Sequence, residues 1–133
     1  MTSIVADASC VAAALVASDS SRPWASALLR SAELVHVPHL MQVEAISRLR
    51  KAELHGLCSA SRADEAVQSL MEMPLQVWPL EGLHSRVWSL RQKVTAYDAW
   101  YVALAEYLEL PLATCDVRLA RANGPTCAFL TAP

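Results

Sequence analysis

Glycine is scarce in this sequence, with three residues in a chain of 133. Gly56, Gly82 and Gly124 are too far apart to form G-x-G-x-x-G or G-x-x-x-x-G-K. Those two patterns wrap backbone N–H groups around the phosphates of a bound nucleotide. The spacing therefore excludes nucleotide binding by a glycine-rich loop.

Charge of either sign is also limited. Eleven Lys and Arg residues stand against thirteen Asp and Glu residues, which gives a formal net charge of −2. The chain therefore lacks the general basic field with which non-specific nucleic-acid binders attract phosphates. Any contact with a nucleic acid must come from a local group of basic residues.

Long apolar runs and paired cysteines are missing as well. No segment approaches the roughly 20 apolar residues of a membrane span, and the opening "SIVADAS" meets an acid too early for a signal peptide. The four cysteines form no C-x-x-C pair and no regular spacing with histidine, which argues against a zinc site and a disulfide framework. We expect a soluble, cytoplasmic protein with reduced thiols and no membrane partner.

Apolar residues are abundant, at 54% of the chain, and they fall in short segments that alternate between strand and helix patterns. A chain of this length fits one domain. Alternating strands and helices predict an α/β fold, so we expect a single domain over residues 1–133 with three α/β/α layers and a mostly parallel central sheet of four to five strands. Strands are predicted at residues 3–6, 34–38, 75–79, 111–114 and 127–132.

Two predicted helices matter for the later argument. Residues 80–94 are predicted to form one helix with an apolar stripe, and a long helix is predicted from Pro38 to Gly56. Trp88 and Trp100 fall in apolar helical patterns, which favours packing in the core or in a dimer interface over stacking on nucleobases.

Acidic residues stand at the junctions of these elements. Asp7 follows the first strand and Asp116 follows the fourth, and ligands of parallel sheets lie beyond the carboxyl ends of the strands. Asp98 lies in the first turn of its helix, and Glu44 points inward if it shares a stripe with Val43. The topology therefore predicts that four acids from distant segments converge on one pocket.

Each acid considered alone has a simpler explanation. Asp7 and Asp116 are also suited to cap the helices that follow them, and Asp98 complements the positive end of its helix. Glu44 has Arg48 four residues later as a partner for a surface ion pair. Coincidence of all four explanations is less probable than any one of them.

Convergence of these carboxylates favours a metal ion. Carboxylates held close together repel one another, which raises their pKa values and opposes folding. A hard divalent cation offsets that repulsion, and Mg²⁺ suits a site of oxygen ligands. Because such an ion also makes a bound water more acidic, hydrolysis of a phosphodiester is chemically plausible there.

Three stretches, "IVADAS", "VPHLMQVEAISRLR" and "TAYDAWYVALAEYLELPLATCDVRLARA", together resemble a PIN domain, and specifically the VapC-like ribonuclease toxins of bacterial type II toxin–antitoxin modules. The resemblance implies an endoribonuclease that depends on Mg²⁺ or Mn²⁺, forms a homodimer and is neutralised by a small cognate antitoxin. It also implies the site residues. The catalytic and metal-binding residues would be Asp7, Glu44, Asp98 and Asp116, and the residues beside them Ser9 and Thr114.

Three basic residues are candidates for RNA contacts. Arg48 and Arg50 lie on the predicted helix of Glu44, and Arg118 follows the last acid, so these cations are placed to steer a phosphate backbone towards the pocket. The alternative is that they belong to ordinary solvated helix faces. A second function also stays open, that of a PIN-fold RNA-binding or protein-interaction module with little or no catalytic activity.

Overall fold

The computed structural model describes residues 2–133, and its centre is a five-stranded sheet in which every pairing is parallel. The strands are β1 (Ile4–Ala6), β2 (Val35–Pro38), β3 (Gln76–Trp78), β4 (Leu112–Thr114) and β5 (Phe129–Thr131). The helices are α1 (Ala8–Val16), α2 (Ser21–Ser31), α3 (Met41–Leu54), α4 (Ala60–Glu72), α5 (His84–Ser89), α6 (Ala96–Leu108) and α7 (Val117–Ala120). The predicted α/β fold is confirmed.

The order of the strands across the sheet, β3-β2-β1-β4-β5, explains the layers. The chain first moves from β1 outward to β3 through α1 to α4, and then returns through α5 and α6 to β4 on the other side of β1. Because parallel crossovers are right-handed, the two directions of travel place their helices on opposite faces of the sheet. Accordingly α1 packs against α2, α3 and α4, while α6 packs against α5 and against β1, β2 and β4.

The central strands and α6 form the core. Val5 and Leu112 are paired between β1 and β4, and both are fully buried. Strands covered on both faces need apolar residues at successive positions, which β1 and β4 supply. On α6, Val102 and Leu104 are fully buried, and the helix begins where the Thr95 hydroxyl accepts a hydrogen bond from the Asp98 N–H at 3.2 Å.

The predicted helix over residues 80–94 is wrong in its bounds, because α5 covers only His84–Ser89. The Leu90 N–H bonds to the carbonyls of both Arg86 and Val87 at 3.2 Å, a tightening typical of a helix that is ending. Trp88 on α5 is 67% exposed, so of its two predicted environments the core is wrong, and packing in a dimer interface stays a prediction. The short helix directs Leu90 into the core and leaves Trp88 on the opposite side.

The stripe predicted for α3 needs correction as well. Its buried residues are Met41, Ala45 and Leu49, whereas Val43 is 70% exposed. Glu44 is half-buried because it lies one turn after Met41 and on the same face. Glu44 therefore points inward although the condition set by the sequence, a stripe shared with Val43, is not met.

None of the helices formed by residues 2–133 combines the length and apolarity that a membrane crossing requires. Over the same residues the four cysteines are free thiols, and Cys10 is buried.

Candidate active site

The site begins where β1 and β4 end side by side. Ala6 pairs with Ala113, so the next residues, Asp7 and Thr114, are neighbours at the carboxyl edge of the sheet. The Asp7 N–H donates to the Ala113 carbonyl at 3.1 Å and extends the pairing by one residue. Between β1 and β4 the chain reverses its direction of travel across the sheet, and such a switch point opens a crevice for a ligand.

Asp7 is 5% exposed and its carboxylate is fully engaged. Oδ1 accepts hydrogen bonds from the Ser9 hydroxyl at 2.6 Å and from the Cys10 N–H at 3.0 Å, and Oδ2 accepts from the Thr114 hydroxyl. Ser9 Oγ in turn accepts from the Cys115 N–H at 2.9 Å. Asp7 thus caps α1, one of the simpler explanations, and the hydroxyls of Ser9 and Thr114 also fix its orientation across two strands.

Glu44 meets α6 through a residue that sequence reasoning missed. The Tyr101 hydroxyl donates to Glu44 Oε1 at 2.6 Å, and the Tyr101 side chain is 1% exposed. Within residues 2–133 the salt bridge joins Arg86 to Glu106, and Glu44 forms none with Arg48. The sequence signal was available, because Tyr101 lies three residues after Asp98 and therefore on the same face of α6.

Asp98 and Asp116 line the same open cleft. Asp116 caps α7, since its Oδ1 accepts from the N–H groups of Arg118 at 2.9 Å and Leu119 at 3.2 Å. Oδ1 carries both of these bonds, and the side chain still faces the cleft. Asp98 is half-buried in the first turn of α6, as the sequence predicts.

The acids influence one another electrostatically. Burial is the main cause that raises the pKa of Asp7, Glu44 and Asp98. The negative charges of Asp98 and Asp7 raise the pKa of Glu44 further, against the lowering effect of the Tyr101 hydrogen bond and of Arg48. The charges of Asp116 and Asp7 likewise raise the pKa of Asp98. Asp98 is therefore electrostatically linked to each of the other three acids.

Two open clefts flank these acids and share Asp116 and Arg118. The first, of about 660 Å³, is called the basic cleft here because Arg91, Lys93 and Arg118 line it beside Asp98 and Asp116. The second, of about 540 Å³, is called the alanine cleft; its lining includes Ala12, Ala13, Ser9 and Arg48.

The candidate RNA-contacting residues are separated by the fold. Arg118 lines both clefts and Arg48 lines the alanine cleft, where its positive charge lowers the pKa of the surrounding acids. Arg50 instead lines a groove between α3 and α4 with Ile46 and Val67. Arg48 and Arg118 therefore lie beside the acids, and Arg50 lies apart from them.

The donor set fits a hard divalent cation, because the converging groups are carboxylates whose mutual repulsion a cation would offset. Across residues 2–133, no three His, Cys, Asp or Glu side chains are grouped closely enough to form a finished metal site. Mg²⁺ binds one or two carboxylates directly and keeps several waters, so a closed cage of three protein ligands is not needed for it.

The fold and the acids at the carboxyl edge of the sheet together define a parallel α/β protein with an acidic site at its topological switch point. The family model described as the PIN domain matches residues 4–125, and this chain belongs to that family. The resemblance noted in the sequence is confirmed.

Similar proteins agree with this assignment. Ribonuclease VapC9 of Mycobacterium tuberculosis is 37% identical over 130 residues, which cover 98% of each chain. Among solved structures, VapC20 of M. tuberculosis, titled a sarcin–ricin loop cleaving toxin, matches with a TM-score of 0.68 and 18% identity over 87% of this chain and 92% of its own. VapBC-5 of M. tuberculosis, titled a member of the VapBC family of toxin–antitoxin systems, matches with a TM-score of 0.56 and 19% identity over 99% and 98%. At these identities the two structures establish the fold.

Proposed function

We propose that this chain acts as a single-domain endoribonuclease that requires Mg²⁺ or Mn²⁺ and serves as the toxin of a toxin–antitoxin pair. The observation that carries the proposal is the grouping of acids at the switch point of the sheet, where Asp98 and Asp116 line one cleft and Asp7 follows the end of β1. Similarity to Ribonuclease VapC9 over nearly the full length of both chains supports the reaction class.

In this proposal Asp7, Glu44, Asp98 and Asp116 hold one or two divalent ions. Ser9 and Thr114 orient the Asp7 carboxylate, and Tyr101 orients Glu44. Bound Mg²⁺ or Mn²⁺ would supply Lewis acidity, which lowers the pKa of a water and stabilises negative charge on a phosphate. Arg118, between the two clefts, is placed to contact the phosphate backbone on either side of the acids.

The set of four acids also favours a nuclease over a non-catalytic RNA-binding module. A surface that only binds RNA gains nothing from carboxylates that raise one another's pKa and repel phosphates. Grouped carboxylates are useful where they bind cations, and a bound divalent cation promotes phosphodiester hydrolysis.

The test is RNA cleavage by the isolated protein, freed of any co-purifying partner, in Mg²⁺, in Mn²⁺ and in EDTA. We expect cleavage in either metal and none in EDTA, and Asp98→Asn should abolish it. Asp64→Asn is the matched control, because Asp64 is an exposed aspartate on α4 that lines neither cleft. Equal cleavage by the wild type and Asp98→Asn, or cleavage that persists in EDTA, would contradict the proposal.

We also propose a small antitoxin as partner and a homodimer as the active assembly. The solved VapBC-5 system, with the same fold, supports the pairing with an antitoxin. Co-expression with its cognate antitoxin should yield a complex without ribonuclease activity, and light scattering should give the free chain twice its 14.5 kDa mass.

A further inference from the structure

One wall of the basic cleft has no part in the chemistry proposed above. This wall is the turn after α5, where Arg91, Gln92 and Lys93 line the cleft that also contains Asp98. Its cations face a site of acids, in a chain whose net charge is −2. The wall therefore supplies the local basic group that the composition requires of any nucleic-acid contact.

An exposed aromatic side chain stands beside this wall. The guanidinium of Arg91 lies over the Trp88 ring, 4.4 Å from its centroid, and Arg91 Nη1 donates to the Trp88 carbonyl at 3.0 Å. Trp88 is nevertheless 67% exposed. A large ring left in water at the edge of a charged cleft offers a flat surface for a nucleobase, since bases stack on aromatic rings and on arginine guanidinium planes.

Packing behind the wall fixes its position. A Cβ atom added to Gly124, which has φ +108°, would lie 3.1 Å from both Leu90 Cδ2 and Lys93 Cγ, so the Lys93 stem rests directly on the glycine backbone. Arg86 Nη2 donates to the Gly124 carbonyl at 2.9 Å, and Arg86 is itself paired with Glu106 at 2.7 Å. The side chains of Arg91 and Lys93 therefore project from a backbone that these contacts hold in place.

We infer that Trp88, Arg91 and Lys93 form a subsite for single-stranded RNA beside the scissile bond. Lys93 contacts a backbone phosphate in the basic cleft, and the Trp88–Arg91 pair stacks against one nucleobase at its rim. The subsite holds the strand on the α5 side of the acids, so it positions one unpaired nucleotide beside them whatever its base. This inference rests on the proposed nuclease function, because it places the RNA relative to the catalytic acids.

RNA explains these features better than a protein partner does. A protein partner for Trp88 would bury an apolar patch, whereas the Trp88 ring contacts the Arg91 guanidinium, and Arg91 lines the cleft together with Gln92 and Lys93. An aromatic ring with closely spaced cations is the arrangement that proteins use for single-stranded nucleic acids.

The test is the affinity of the full chain for a short, labelled single-stranded RNA of mixed sequence, measured by fluorescence anisotropy in EDTA so that no cleavage occurs. We expect Trp88→Ala to weaken binding about tenfold, since one stacked base contributes about 1–3 kcal/mol. Trp88→Phe should recover most of the affinity. Lys93→Ala should reduce the slope of log affinity against log salt by about 0.7, the value for one phosphate of a single strand.

Two matched controls lie away from the cleft. Tyr107→Ala removes another aromatic side chain that is 67% exposed, and Arg30→Ala removes an exposed cation from the last turn of α2. Neither should change the affinity. Wild-type affinity in Trp88→Ala would overturn the inference, and so would a Trp88→Ala variant that changes only the oligomeric mass, which would assign Trp88 to a contact between protein chains.

The inference and the proposed function can fail separately. If the wild type does not cut RNA in Mg²⁺ or Mn²⁺ but Trp88→Ala still loses binding, the nuclease proposal fails and the subsite stands. If the wild type cuts RNA and Trp88→Ala binds and cuts equally well, the subsite fails and the nuclease stands.

Discussion

The hydrogen bond between Tyr101 and Glu44 can be removed with little change in shape. Tyr101→Phe deletes only the hydroxyl that donates to Glu44 Oε1 at 2.6 Å. The ring is 1% exposed, so water has no direct access to replace the lost donor. The variant therefore leaves the Glu44 carboxylate half-buried and short of one partner.

The expected loss of stability follows from that geometry. A hydrogen bond to a charged group contributes about 1.5–3 kcal/mol. Burial of Tyr101 argues for the upper part of that range, while the partial exposure of Glu44 argues for the lower part. We expect the free energy of unfolding to fall by about 2 kcal/mol. Because residues that orient metal ligands typically change affinity or activity by about 10- to 100-fold, we expect a loss of that order in Mg²⁺ affinity and in the cleavage rate.

Urea unfolding without metal measures the change in the free energy of unfolding. A double-mutant cycle with Glu44→Gln then shows how much of that change comes from the interaction between Tyr101 and Glu44. The pH dependence adds a second readout. The Tyr101 hydrogen bond lowers the pKa of Glu44, against the larger raising effect of burial, so its removal raises that pKa further. The acid limb of the cleavage profile should therefore move to higher pH in Tyr101→Phe.

Tyr107→Phe provides the control, since Tyr107 lies on the same helix but is 67% exposed. It should leave stability, Mg²⁺ affinity and the pH profile as in the wild type. The reasoning is refuted if Tyr101→Phe retains wild-type stability and its acid limb does not move, because Glu44 would then not depend on this donor.

Two further predictions concern how the stability of the folded protein depends on pH. Because the folded-state pKa values of Asp7, Glu44 and Asp98 are raised, the native state binds more protons than the unfolded state, and stability without metal should fall as pH rises from about 4. Thermal melts across pH should show this fall, and saturating Mg²⁺ should diminish it; stability that rises steadily instead would contradict it. Glu106→Gln should destabilise the protein by about 1–2 kcal/mol in urea unfolding, because Glu106 holds the partly solvated Arg86 in two hydrogen bonds. Burial raises the pKa of Glu106, but hydrogen bonds from Arg86 and from the backbone lower it overall. This contribution should therefore begin to weaken as pH falls through the unfolded-state pKa of about 4.3 and be lost only below the lowered folded-state pKa. A loss of stability that stays unchanged in acid well below that value would count against it.

Much of the fold could be read from the sequence because local patterns determine its elements. Each buried strand is a short apolar run, and the end of each long helix coincides with a change in that pattern. The end of α5 could not be read in this way. Leu83, Val87, Leu90 and Val94 keep a helical spacing beyond Ser89, but α5 ends at Ser89 and the chain continues in turns. Arg86 of α5 contacts Glu106 and Gly124, which lie far along the sequence and which local patterns do not reveal.

The acids of the candidate site were accessible to sequence reasoning because a general rule places ligands at the carboxyl ends of parallel strands. Tyr101 had a sequence signal too, because it lies three residues after Asp98 on the same face of α6, but a tyrosine on an apolar helix also has the pattern of a core residue until its hydroxyl is located. The position of Arg91 and Lys93 in the wall of the basic cleft could not be predicted for a different reason. In the predicted helix over residues 80–94 they would belong to a solvated face, whereas in the structure they follow the shorter α5 and line the cleft.

Helix α6 connects these features. Along one buried helix lie Asp98 at the acidic edge, Tyr101 against Glu44, and Glu106 behind the wall of the basic cleft. Leu104, between the last two, is fully buried against the sheet. Because α6 is packed as a rigid unit, a shift of the helix would move the acid, its positioning partner and the wall together. The hydrophobicity of α6 therefore matters for the site itself. Because the helix buries most of its surface in the core, it holds Asp98, Tyr101 and Glu106 at fixed positions relative to one another, although the carboxylates of the site repel one another.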